Sequence, residues 1–144
     1  MDLFTTFDIA SSALQAQRTR LNTISSNLAN VETTSTPEGG PYKRKNVYFQ
    51  TVPINFENQL QNSLAAKASQ GVRVKDIIED QSEPQKVYNP SHPDADEFGY
   101  ISLPNINVLK EIVDMNSAVA SYEANTTVIK SAKRLALKAL EIGR

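Results

Sequence analysis

Each end of this chain repeats apolar residues in alternating steps of four and three, with neither proline nor glycine inside the repeat, so each must fold as a long helix covered along one side. The first seam is Leu3, Phe7, Ala10, Leu14, Leu21, Ile24, Leu28 and Val31, with Gln17 in the one remaining slot. The second is Val108, Ile112, Met115, Val119, Tyr122, Ile129, Ala136 and Leu140, interrupted at Thr126 and Lys133. A helix over residues 3–31 would be about 42 Å long. Thr5 or Thr6 with Asp8 suits its N-terminal end, and Asn105 or Asn107 can cap the second helix. Lys138 and Arg144 lie where a helix C-terminus favours cations, and Gly143 marks the stop.

Between the seams the periodicity changes. Thr, Pro and Gly crowd residues 32–46, which therefore read as a loop, and Tyr42 to Val52 then carries the β-branched and aromatic residues of a strand. Phe56, Leu60 and Leu64, four apart, predict a short helix. Val72, Val74 and Ile77 or Ile78 alternate with polar neighbours, and Val87 and Tyr88 follow Pro84, so these two runs are expected to pair as a β-hairpin. Residues 89–98 form a loop, Gly99 to Leu103 a returning strand, and Pro104 closes the region. The fold class is thus mainly α with a small β insertion: long terminal helices forming a coiled coil or bundle, and a middle region of loop and β-hairpin. Residues 1–31 and 105–144 form one core, and residues 32–104 the middle region.

Composition narrows the function. The 144 residues are 40% hydrophobic but only 7% aromatic, without tryptophan, so long aliphatic helices must supply much of the burial. Zero cysteines exclude disulfides, thiolate metal sites and a cysteine nucleophile. A net charge of -1 gives no footprint for nucleic acid. No apolar run is long enough to span a bilayer as a helix, and the N-terminus does not read as a cleavable secretory signal.

The flanks of the first seam hold Phe4, Thr6, Ser11, Ala13, Arg18, Arg20, Ser25 and Asn27 in place of the Lys and Glu of a water-facing coiled coil. Neighbours can cover such a surface without stranding many charges. An intramolecular antiparallel pair with a solvated polar face fits the periodicity equally well. Two helices without further packing would be marginal, because each buried Leu or Ile contributes roughly 1.5–3 kcal/mol against the entropy of ordering every residue.

Sharper chemistry finds little purchase. His92 is the sole histidine, so any histidine-based catalysis would pass through one loop residue. Asp94, Asp96 and Gly99 mimic part of a calcium loop, but Phe98 occupies a position that needs an oxygen ligand and Asn105 the one that needs a bidentate Glu. Lys43, Arg44 and Lys45 read as the solvated flank of a strand, and the basic stretch 130–144 as a packing helix with a weakly anchoring alanine face. No catalytic, cofactor-binding or metal site is expected, nor a small-molecule substrate.

Ser26-Asn27-Leu28-Ala29-Asn30, then Thr33-Thr34 and Gly39-Gly40-Pro41-Tyr42-Lys43-Arg44, resemble the bacterial flagellar rod and hook family. The likeness continues through Val72 to Asp80, Tyr88 to Ala95, Gly99-Tyr100 to Leu103-Pro104-Asn105-Ile106-Asn107-Val108, Val113-Asp114-Met115 and Ser121-Tyr122-Glu123-Ala124-Asn125, and into residues 130–142, leaving out only about residues 46–70. This resemblance implies a non-enzymatic subunit of the proximal rod in the flagellar basal body. Such a subunit is exported by the flagellar type III apparatus without signal cleavage and polymerises through its terminal helices. It joins copies of itself and other rod proteins in the periplasm-spanning axial shaft, which transmits torque, encloses part of the export channel and passes peptidoglycan. Leu14, Leu21, Ile24, Leu28, Ile112, Met115, Val119, Tyr122 and Ile129 would carry helix packing and assembly. Asn27, Asn30, Gly40, Tyr42, Pro104, Asn105 and Asn125 would shape loops and helix ends. The alternative is a soluble helical adapter or export chaperone.

Overall fold

Both seams fold as helices: α1 spans Leu3–Ala29 and α2 spans Val108–Ile142, about 40 and 52 Å long. The computed structural model describes residues 3–53 and 70–142, so the short helix expected around Phe56, Leu60 and Leu64 and the stop at Gly143 lie outside the described residues. Of the two candidate caps, Asn107 starts α2. Its Oδ1 accepts the Lys110 amide at 3.1 Å and its carbonyl accepts the Glu111 amide at 3.0 Å, satisfying donors with no intrahelical partner.

The helices pack antiparallel. Arg20 meets Asp114 at 3.4 Å and Asn27 meets Glu111 at 3.1 Å, while Leu21 shares a groove with Val119, Tyr122 and Thr126. Advancing along α1 therefore means retreating along α2. The Arg20–Asp114 pair is about a third exposed on both sides and contributes at most about 1 kcal/mol.

Strand β1 (Lys45–Pro53) pairs antiparallel with β2 (Gln70–Glu79), and β3 (Gln85–Tyr88) with β4 (Tyr100–Leu103). This corrects the expected hairpin between the runs around Val74 and Val87. β1 and β2 match in length and form nine rungs from Lys45↔Glu79 to Pro53↔Gln70, where β3 has only four residues to offer. The Asp80 amide donates to the Arg44 carbonyl at 2.7 Å and prolongs that ladder, and Asp80 Oδ1 then accepts the Ser82 amide, turning the chain away before Pro84. The Ser82 hydroxyl and amide, with Arg44 and Lys110 nearby, hold the Asp80 carboxyl below its ordinary value. Lys75 has no opposite number in the ladder, because the register shifts between Tyr48 and Phe49.

The long hairpin lies against α1, where Ser12 Oγ accepts the Val72 amide at 3.1 Å. The short hairpin is pinned by an edge-to-face contact of Tyr88 on Tyr100, with centroids 5.4 Å apart. Its turn ends at Gly99, whose φ is +79° and where an added Cβ would lie 3.0 Å from the Tyr88 ring and 3.1 Å from Pro90. Gly99→Ala combines a disfavoured backbone with a crowded site and is expected to cost about 1–3 kcal/mol. A thermal melt of the purified chain checks it, and an unchanged midpoint would refute it.

Candidate functional site

The largest fully buried side chains among the described residues are polar. Glu111 is 0% and Asn27 1% exposed, and both sit where the end of α1, the start of β1 and the first turn of α2 converge. Asn27 Nδ2 donates to the Lys45 carbonyl at 2.9 Å and to Glu111 Oε2 at 3.1 Å; its Oδ1 accepts the Lys45 amide at 2.9 Å and the Tyr42 hydroxyl at 3.1 Å. The Tyr42 hydroxyl also lies 3.3 Å from Ser26 Oγ. Arg44 grips Glu111 Oε1 through Nε at 2.7 Å and Nη2 at 2.6 Å, and its Nη1 donates to Asn46 Oδ1. A buried carboxylate at the positive end of a helix, with a two-nitrogen arginine contact and an amide donor, is fully compensated. The junction fixes how α2 enters the fold relative to α1 and the long hairpin.

Asn27 can do this because it lies on the inner side of α1, beside buried Thr23 and Ile24. Just beyond, Asn30 ends the helix through its side chain and not through a left-handed backbone. No non-glycine residue among those described has a positive φ; instead Asn30 Nδ2 donates back to the Ser26 carbonyl at 2.8 Å and its Oδ1 accepts the Thr33 hydroxyl. Gly39 and Gly40 do take positive φ, and the loop closes through Gly39 N to Thr36 O and Thr36 N to Gly40 O, both 2.9 Å. The Tyr42 amide returns to the Thr33 carbonyl, so the ladder begins at Lys45 and not at Tyr42. Pro104 is buried, and Asn105 accepts a hydrogen bond from Gln85 Nε2. Asn125 donates to the Ser121 carbonyl within α2.

The face of α2 turned toward the interior is offset by one position from the apolar seam. Glu111, Ala118 and Ala132 are buried, with half-buried Asn125 completing that heptad line. Met115 and Ile129 are half-buried, whereas Ile112, Val119 and Tyr122 are 43%, 39% and 38% exposed. Small residues let the two helix backbones approach, and the branched residues one step round are left beside the contact. Leu109, Val113, Leu135 and Leu140 are more exposed still, between 65% and 76%. On α1, Ile24 is buried and Leu14, Leu21 and Leu28 are half-buried.

The sequence points to Asn27 and Tyr42 but not to Glu111 or to the inward role of Arg44. Arg44 reads in sequence as one of a basic flank with Lys43 and Lys45, yet it is turned inward, and Lys45 lies over the Tyr42 ring and within 3.9 Å of Glu79. The available signal was one acid standing a heptad before Ala118 on the inner line. His92 Nδ1 accepts the Asp94 amide, and Asp96 Oδ1 accepts the Phe98 and Tyr100 amides, so these loop residues hold their own turns.

Two family models match the chain: one described as flagella basal body rod protein over residues 7–35, and one described as flagellar basal body rod FlgEFG protein C-terminal over residues 99–142. Among curated relatives, the flagellar basal-body rod protein FlgC of Borreliella burgdorferi is 43% identical, covering 99% of this chain and 98% of its own length. Those of Bacillus subtilis and Salmonella typhimurium are 42% and 41% identical, each over the full length of both chains.

Proposed function

Because the chain belongs to the FlgC family of flagellar basal-body rod proteins, we propose that it builds the proximal rod by polymerising through its two end helices. The observation that carries this reading is the set of large apolar side chains on α2, Leu109, Ile112, Val113, Leu135 and Leu140, all exposed in the single chain. Helix surfaces of this kind are stable when neighbouring subunits cover them. Residues 1–31 and 105–144 supply the packed helical layer, and residues 32–104 the outer layer, joined through the junction at Asn27, Arg44 and Glu111. Copies of the chain and other rod proteins are its partners in the axial shaft, and its packing transmits torque while the tube it helps to close conducts exported protein. Delivery runs through the flagellar type III apparatus, and the outer layer faces the peptidoglycan surroundings. The chain acts by packing and not by catalysis; its relatives carry the name of a structural rod protein and lend no support to an adapter or chaperone.

Quantitative mass spectrometry of purified hook-basal bodies tests this. The chain is expected at a fixed ratio to the other axial proteins. Its absence there, with the protein left in the cytosol, would overturn the reading.

A further inference from the structure

Two exposed surfaces of this chain complement each other in charge and share apolar character, yet the fold holds them apart. On the short hairpin, strand alternation turns Ile101 inward, where it is buried, and sets Tyr88 opposite Tyr100 on the outer face, both exposed. Phe98, in the turn beside them, is 78% exposed. That turn, residues 89–99, carries Asp94, Asp96 and Glu97, all exposed, and neither lysine nor arginine; Lys86 on β3 is the nearest cation in sequence. Acids and rings lie together, since Asp96 Oδ1 accepts the Tyr100 amide at 2.8 Å.

The end of α2 is the counterpart. Lys130, Lys133, Leu137 and Leu140 follow one another at steps of three and four, so they share one face of the helix, and all are exposed. Arg134 and Lys138 add two cations, against the single carboxylate of Glu141. The helix packed along α2 does not neutralise them: α1 has only Asp8 as a carboxylate, and none of these cations belongs to an ion pair among the described residues. One chain cannot bring the two surfaces together. Lys130 lies about 33 Å along α2 from Val108, whereas β4 ends at Leu103, just before the helix starts. Complementary surfaces at opposite ends of one helix meet only between copies, head to tail, the type of contact that propagates into an open helical assembly.

We propose that the outer face of the short hairpin docks the end of α2 of a second copy, with Tyr88, Phe98 and Tyr100 against Leu137 and Leu140, and Asp96 and Glu97 against Lys130 and Lys133. This rests on the rod reading above, and wild-type chain in hook-basal bodies is the control that tests that reading separately.

Lys133→Glu and Glu97→Lys each alter one exposed side chain, so either purified variant is expected to melt within about 2 °C of wild type. Incorporation into hook-basal bodies should fall several-fold for each, because like charges then meet at the contact. A chain carrying both changes restores opposite charges and should recover most of the lost incorporation. Undiminished incorporation of either single variant, or no recovery in the double variant, would overturn the proposal. Because the chain has no cysteine, Asn89→Cys combined with Glu141→Cys places one thiol beside each surface without removing a proposed contact. A short thiol-to-thiol cross-linker applied to basal bodies should then give products of twice the chain mass or more, absent with either thiol alone. Products joined to a different protein, or no product, would overturn the assignment to a second copy.

Discussion

Glu111→Ala is expected to destabilise the isolated chain by about 3 kcal/mol, lowering its melting point by roughly 10 °C. The carboxylate is 0% exposed and receives Arg44 Nε, Arg44 Nη2 and Asn27 Nδ2. Removing it leaves the guanidinium only Asn46, and takes from Asn27 one of its two acceptors. Because the Arg44 side chain is 16% exposed, water recovers part of the loss, which places the effect at the lower end of the range for breaking a buried pair. Replacing both partners, Arg44→Met with Glu111→Met, removes the stranded charge together with its mate. It should recover most of that stability, since buried pairs contribute little net energy over packed apolar groups. Urea titrations followed by circular dichroism at the helix band read both variants. A loss below about 1 kcal/mol for Glu111→Ala would mean that the junction is not a stabilising unit.

Ile112→Asp is expected to do the opposite: nearly normal stability of the isolated chain, and no motility. Ile112 is 43% exposed on α2, so in the single chain a carboxylate there stays hydrated and costs under about 1 kcal/mol. Once a neighbouring subunit covers that part of α2, the same carboxylate is buried without a partner and costs several kcal/mol at every copy. Leu21→Asp, on the half-buried side of α1, is expected to lose both stability and assembly. Swimming assays and melting curves of the two variants separate folding from assembly, and a motile Ile112→Asp strain would remove Ile112 from the subunit contact.

Much of this architecture was legible in the sequence because it depends on local periodicity. Steps of three and four, broken by neither proline nor glycine, dictate α1 and α2 whatever they pack against, and the Thr, Pro and Gly cluster after Val31 keeps the first helix from resuming for reasons internal to the backbone. The motifs around Asn27 and Asn105, met in order along nearly the whole chain, were enough to name the family.

What the sequence could not decide was set by contacts between distant segments. β2 joins β1 and not β3 because ladder length, a property of two strands together, favours nine rungs over four. Arg44 leaves its basic neighbours for Glu111, 67 residues away, because the start of α2 places a carboxylate within its reach. The inner line of α2 falls on Glu111, Ala118 and Ala132 in place of the bulkier seam beside them, since close approach to α1 selects the small residues and leaves the branched ones outside. Periodicity determined that each helix has an apolar stripe; only the tertiary structure divided that stripe between the chain's own interior and a face left open to neighbours, because that division depends on where the partner helix comes to rest.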